Sequence, residues 1–314
     1  RNSKFLINWD KFRIQENDMK EISYKNRFGD TLFGNSWEIE NPKKILMIVT
    51  GMAENSARYD DFAKFMNEAG FSVFCIDHYG QGLGKNGELG NPGKDYFFKM
   101  QETVKDFILK LKSETNLEVY LFAHSMGSFV TQGYIEKFSN TINKVVLCGT
   151  NGRNPLVKVG YVVSKLIVHK NNYNKKAGLL HKLSIGAYEK SAKDRESNND
   201  WISYNKENVK KYDADPYSGY LPTNGFYKEF MKGLNSIQKT KNIKNISKDL
   251  PILIIGGEDD AVGNFSKGLI KLNKLYLKNG LDSHVIVYKK MRHEILNELE
   301  NKKVYEDILS FFNE

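Results

Sequence analysis

Six stretches of the chain are apolar at almost every position: KILMIVTG (44–51), FSVFCID (71–77), EVYLFAHS (118–125), KVVLCGT (144–150), PILIIGG (251–257) and SHVIVYK (283–289). A strand with one wet face alternates apolar and polar residues, so unbroken apolarity predicts strands covered on both faces, as in a parallel sheet. Between the first two, ARYDDFAKFMNEAG places Tyr59, Phe62, Ala63 and Met66 on one helical face and stops at a glycine. Between the next two, DYFFKMQETVKDFILKLKSET carries Phe97, Met100, Val104, Phe107, Ile108 and Leu111 at helical spacing. Strands alternating with helices predict βαβ crossovers and a doubly wound α/β sheet. EISYKNRFGDTLFGNSWEIE (21–40) reads as an antiparallel hairpin turning at Phe28-Gly29-Asp30 on an edge of the same sheet.

The rhythm stops between about 151 and 240. That excursion is too long for a plain loop and predicts helices of its own. The expected organisation is a core of residues 1–150 and 241–314, with 151–240 inserted as a helical cap over one end of the sheet. At 314 residues the chain has room for one large domain with such an insert.

Composition adds little. A 40% hydrophobic, 27% charged chain is ordinary for a globular protein, and no run reaches the length of a membrane span. The start, RNSKFLINWDKF, is polar where a signal peptide would be apolar, although its first residue is Arg, which leaves an earlier segment open. A cytoplasmic location is the expectation. Cys75 and Cys148 fall in strand-like runs and read as small buried core residues. The net charge of +9 comes from 40 Lys and only 7 Arg spread along the chain, without a recognition motif, which argues against a nucleic-acid partner. GLGKNG (82–87) fits G-x-G-x-x-G after a strand, but ELGNPG follows instead of a helix, so it reads as a Gly-rich loop near a pocket mouth, not a dinucleotide site.

The candidate chemistry begins at Ala123-His124-Ser125-Met126-Gly127. A serine between a strand and a helical pattern is the context of a nucleophile elbow, whose tight turn demands small residues two before and two after. A serine there can equally be an N-cap. A hydroxyl becomes a nucleophile when a histidine takes its proton and an acid orients that histidine. Downstream, GGEDDAVG follows one strand and MRHEILNE the next, both at the carboxyl edge of the expected sheet. Of six histidines, His293 alone follows the last strand, where it is expected to open a new helix. Three acids, Glu258, Asp259 and Asp260, compete, and spacing does not separate them. His293-Glu294 does not start a zinc motif, because Asn297 stands at the fifth position. Backbone N–H groups for an oxyanion are expected from Met126 and, across the sharp turn at Gly51, from Met52.

TGMAENSARYDDFAKFMNEAGFSVFCIDHYGQG, AHSMGS, GGEDDAVG and RHEILNE, in this order, resemble the monoacylglycerol lipase and lysophospholipase group of serine α/β-hydrolases, and DWISYNKENVKKYDADPYSGY (200–220) resembles bacterial members. The resemblance implies an α/β-hydrolase fold with a mostly parallel eight-stranded sheet, flanking helices and an inserted cap. It implies Ser125 as nucleophile, His293 as base and Asp260 as acid, the last because the family's acid stands three residues after the glycine that Gly257 matches. Thr50, in place of the family's histidine, and Ala123, in place of the first elbow glycine, depart from the pattern. The implied substrates are single-chain acyl glycerols, lysophospholipids and simpler carboxylic esters, cleaved through an acyl-enzyme with no cofactor and no metal. An amidase or peptidase, with Asp194, Glu196, Asp213 and Asp215 as acids for an amine, or a short-chain esterase on the same scaffold is the alternative. A non-catalytic binder of apolar ligands is the alternative of another class. GYVVSKLIVHK (160–170) reads either as a helix lining an acyl tunnel or touching a membrane surface, or as one packed on the core. Tyr204, Tyr212, Tyr217, Tyr220, Phe226, Tyr227 and Phe230 read as pocket walls or as the cap's own core. No oligomeric state is implied.

Overall fold

A computed structural model describes residues 18–83 and 88–314. Eight strands form one sheet: β1 (Lys20–Lys25), β2 (Thr31–Trp37), β3 (Lys44–Val49), β4 (Phe71–Ile76), β5 (Val119–His124), β6 (Lys144–Cys148), β7 (Ile252–Gly257) and β8 (Ser283–Tyr288). Their order is β1-β2-β4-β3-β5-β6-β7-β8, with β2 antiparallel to both its neighbours and every other pairing parallel. The hairpin at 21–40 is therefore the edge of the main sheet.

The apolar runs are explained by what covers each face. Met47, Val49, Leu121, Ala123, Val145 and Leu147 point into one buried cluster with helices α2 (Tyr96–Thr115) and α3 (Met126–Phe138). Their neighbours Leu46, Ile48, Tyr120, Phe122, Val146 and Cys148 point into a second cluster on the opposite face. That second face is closed by α1 (Asp60–Glu68), with Phe62 and Met66, and by the C-terminal helix Asn301–Asn313, with Ile308 and Phe312. Alternate side chains thus enter two different cores, and neither set needs to be polar. Cys75 and Cys148 are buried and free.

Between β6 and β7 the described chain forms helices joined by loops, with one isolated bridge between Lys176 and Thr223 and no strand. α4 (Leu156–Ile167), α5 (Gly178–Ser184), α6 (Gly186–Glu189), α7 (Lys206–Ala214), α8 (Asn224–Ser236) and α9 (Thr240–Ile243) lie here. Thr223 caps α8 through the Phe226 amide, and Phe226 stacks on Tyr96 of α2 with centroids 5.3 Å apart, joining this segment to the core. α10 (Lys267–Lys278) connects β7 to β8, and the C-terminal helix is α11. Positions 84–87 of the GLGKNG loop lie outside the described residues.

Candidate active site

Ser125 sits between β5 and α3 with φ 50° and ψ −120°. A left-handed φ is costly for a residue with a side chain, about 1–3 kcal/mol, and persists where neighbours over-determine it. Here the Ser125 amide donates to Cys148 O at 2.9 Å, while Ser125 O accepts from the Ser128 amide at 2.9 Å and the Ser128 hydroxyl at 2.6 Å. The turn also needs Gly127, because a Cβ there would lie 2.3 Å from Val49 O and 2.4 Å from Thr50 O. Ala123, the departure two residues before the serine, is fully buried in β5 and its methyl is accommodated. Ser125 occupies the N-cap position of α3, yet its hydroxyl caps nothing. Instead its Oγ lies 2.8 Å from His293 Nε2.

His293 reaches the serine from the loop after β8. It does not open a helix: the Glu294 amide donates to Ile202 O at 2.7 Å, a 3-10 turn occupies Ile295–Asn297, and α11 begins only at Asn301. Contacts made by the β6–β7 segment and by Glu298, which accepts the Arg292 amide, hold this stretch out of a regular helix where its sequence reads as helical. The other side of the imidazole faces Asp260, with Nδ1 3.0 Å from Oδ1, the ring N–H being turned off the carboxylate axis. Asp260 is fully buried and its Oδ1 accepts the Val262 amide at 2.8 Å. The competing acids point elsewhere: Glu258 is exposed, and Asp259 accepts the Tyr204 hydroxyl at 3.0 Å. Burial pulls the His293 pKa down, but the Asp260 carboxylate outweighs it and holds the imidazole above its ordinary 6.5, with Glu294 and Glu54 adding to the pull.

Gly51 brings the β3 loop against the serine, since a Cβ on it would stand 3.1 Å from Ser125 Cβ. Met52 and Met126 both line the cavity above Ser125, and neither backbone amide has an acceptor among the described residues. Two groups brace this loop. Gln81 donates to Gly51 O at 2.8 Å and accepts the Ala53 amide at 3.0 Å, and His78 Nε2 lies 3.0 Å from Thr50 O. The cavity measures about 910 Å³. Among the described residues no cluster of three or more His, Cys, Asp or Glu side chains is arranged to hold a metal.

Residues 40–300 match the model of a family described as serine aminopeptidase, S33. The chain belongs to that family. Relatives of this S33-family chain include a monoacylglycerol lipase of Mycolicibacterium smegmatis, 25% identical over 279 residues that cover 86% of this chain and 88% of that protein. A thermostable carboxyl esterase from Bacillus coagulans superimposes with a TM-score of 0.87 at 27% identity, covering 94% of this chain and 98% of the other. A soluble variant of monoglyceride lipase from Saccharomyces cerevisiae, solved with a substrate analogue, gives a TM-score of 0.71 at 17% identity over 97% and 96% of the two chains, which bears on the fold alone. The S33-family chain is an α/β-hydrolase of the monoglyceride lipase group, and an enzyme.

Beneath the loop of this S33-family hydrolase lies an ionic cluster that the sequence reading missed. Glu54 Oε1 accepts the Gly51 amide and, at 2.8 Å, the Tyr59 hydroxyl. Arg58 lies 3.6 Å from Glu54 and 2.5 Å from Glu294, and its guanidinium stacks 4.7 Å from the Tyr212 ring centroid. Burial and the Glu294 carboxylate push Glu54 up to about 7, against Arg58 and the two hydrogen bonds. The quoted stretch TGMAENSARY contains both residues, but nothing in their spacing announces a distant Glu294. His124 is buried against His293, with ring centroids 4.6 Å apart, and burial keeps its pKa well below the ordinary value, with His293 and Arg58 adding. Trp201 also packs against the His293 ring, with centroids 5.2 Å apart.

The aromatic residues expected in the β6–β7 segment divide. Tyr212, Tyr220, Tyr227 and Phe230 line the cavity, whereas Phe226 is buried on Tyr96 and Tyr204 stacks 3.9 Å from the Arg292 guanidinium. The four acids singled out there do not converge on the cavity. Asp194 pairs with Arg292 at 2.6 Å, Glu196 lies 3.7 Å from Lys206, Asp213 accepts from Asn199, and Asp215 accepts from Asn55.

Proposed function

We propose that this protein is a serine carboxylic-ester hydrolase acting on single-acyl-chain lipids through an acyl-enzyme. Ser125 Oγ attacks the ester carbonyl carbon while His293 Nε2 takes its proton. Asp260 keeps the remaining proton on Nδ1 and stabilises the imidazolium. The negative charge on the former carbonyl oxygen is met by the Met52 and Met126 amides. Collapse of the tetrahedral species expels the alcohol, which takes the proton from His293. Water then gives a proton to His293 as it attacks the acyl carbonyl; collapse of this second tetrahedral species breaks the bond to Ser125 Oγ, which takes the proton back from His293, and the fatty acid leaves.

The observation that carries this reading is the 2.8 Å contact between His293 Nε2 and the Ser125 hydroxyl at the floor of the cavity. Residues 151–240 act as the cap. Val157, Phe230, Met231 and Leu234 line one arm of the cavity and suit an acyl chain. Leu156, Val159, Val162 and Leu166 of α4, with Leu179 and Leu183 of α5, are exposed, which supports transient contact of the cap with a lipid surface. The amidase alternative loses support because the acids expected to hold an amine lie outside the cavity.

A fluorophosphonate probe should label Ser125, and Ser125→Ala should lose roughly a thousand-fold or more in hydrolysis of a monoacylglycerol while melting like the wild type. An unlabelled Ser125 in folded protein, or wild-type turnover in Ser125→Ala, would end the assignment and favour a non-catalytic binder.

A further inference from the structure

Four cations from four separate segments line the same cavity as Ser125: Arg153 in the β6–α4 loop, Lys158 on α4, Lys239 before α9 and Lys271 on α10. All four residues are exposed. Arg153 and Lys271 are adjacent, because Lys271 Nζ donates to Arg153 O at 2.8 Å. Arg153 in turn donates to Gln238 O at 2.7 Å and to Thr240 Oγ1 at 2.8 Å, which sets it beside Lys239. The apolar residues Val157, Leu234 and Ile237 line the cavity with these cations.

What distinguishes this group is that four cations without a carboxylate partner line one cavity. Some lysines elsewhere pair with carboxylates, as Lys64 does with Asp60, Lys105 with Glu102, Lys110 with Glu114, Lys206 with Asp200 and Lys232 with Asp95. Among the described residues none of the four cavity cations makes such a pair; the buried Glu136, which senses the Lys239 charge, accepts from the Gln238 amide and Asn242. The carboxylates that line the cavity are already engaged. Glu54 and Glu294 share Arg58, and Glu189 holds His181 at 3.1 Å. One end of the cavity therefore carries uncompensated positive charge next to an apolar arm.

We infer that this end is an anion-recognition site, and that the cavity selects single-chain amphiphiles bearing a phosphate or carboxylate over neutral ones of the same length. Calling such an amphiphile a substrate rests on the ester-hydrolase reading; the binding preference does not. An anion docked there meets several ammonium groups and one guanidinium with free donors, an attraction that salt weakens because the groups are exposed.

The test uses ligands without a carboxylic ester, so its result is independent of whether the chain cleaves esters. Trp201 lines the cavity and reports occupancy through its fluorescence. Dodecyl phosphate, 1-O-dodecylglycerol and inorganic phosphate are titrated below micellar concentration at low and at physiological salt. Dodecyl phosphate should bind about ten-fold or more tightly than the neutral ether, the gap narrowing with salt. Inorganic phosphate should neither saturate nor compete at the same concentrations. In Lys158→Gln/Lys239→Gln/Lys271→Gln the ratio of the two amphiphile Kd values should collapse towards one. Arg153→Gln, made separately because Arg153 also ties Gln238 and Thr240, should lower the ratio by itself. Equal Kd values in the wild type, a preference that survives the triple lysine variant, or tight binding of phosphate alone would each overturn the inference.

Discussion

Glu54 accepts two hydrogen bonds on one oxygen, from the Gly51 amide and the Tyr59 hydroxyl, while its second oxygen faces Arg58. A glutamine can keep both bonds through its single carbonyl oxygen; it loses the charge and puts an NH2 where the second oxygen faced Arg58, which still has Glu294. An alanine leaves a buried amide and a buried hydroxyl unsatisfied beside the loop that carries Met52. Glu54→Ala should therefore destabilise the protein by about 1–3 kcal/mol and cut turnover, whereas Glu54→Gln should keep most of both. Thermal melting and initial rates of the two variants check this; an alanine variant as stable and active as wild type would show that the loop holds itself. The Thr50 departure is also legible at this scale. His78, not residue 50, supplies the imidazole that meets the loop, through Thr50 O.

Close approach of backbones governs the elements around the serine. Gly127 lets α3 start against the carboxyl end of β3, and Gly257 lets β7 end against the loop that delivers His293, where a Cβ would lie 2.2 Å from Met291 O and 2.3 Å from Arg292 O. Neither obstacle is a flexible side chain that can swing away. Gly127→Ala should cost about 1–3 kcal/mol of stability and move Ser125 enough to reduce its labelling by a fluorophosphonate. Unchanged melting and labelling would mean that β3 yields. The small-residue requirement two positions after the serine was readable from the pentapeptide. The non-helical path of His293 was not, because one contact that holds it, with Ile202, comes from a distant part of the chain.

For the whole molecule, buried acids and histidines set how stability follows pH. Burial raises Glu54, Asp77 and Glu136 to about 7 and also raises Glu298. Unfolded carboxyls titrate near about 4, so across the interval up to 7 the folded chain holds more protons than the unfolded chain. These groups therefore stabilise the fold at the acid end of that interval, and the contribution is lost as pH rises through it. His78, lowered to about 4 by burial, and His124, also lowered, act in the opposite sense, but only below the ordinary histidine value of 6.5, where the unfolded imidazole is charged. His293 is raised, so its contribution too is lost as pH climbs beyond 6.5. Above 6.5 the opposing histidines no longer contribute a slope. The melting temperature should fall between pH 6.5 and 8, and Glu54→Gln should flatten the decline. A melting temperature that rises over this range would contradict the assignment of these groups as buried and protonatable.

Local chemistry wrote most of the frame into the chain. Apolar runs that must be covered on both faces, helical stripes between them, and a serine flanked by small residues are all properties of neighbours within a few positions. They sufficed for the parallel sheet, the edge hairpin, the helical segment between β6 and β7, and the loops that bear Ser125 and His293. Packing decided the rest, since it joins side chains more than a hundred positions apart. It turned Asp260, among three adjacent acids, towards the imidazole, and set Glu294 against Arg58. It also scattered the four acids expected near an amine, and gathered Arg153, Lys158, Lys239 and Lys271 around one opening. Composition and spacing carry no distances between remote residues, and both the charge on an ionic group and its burial depend on those distances.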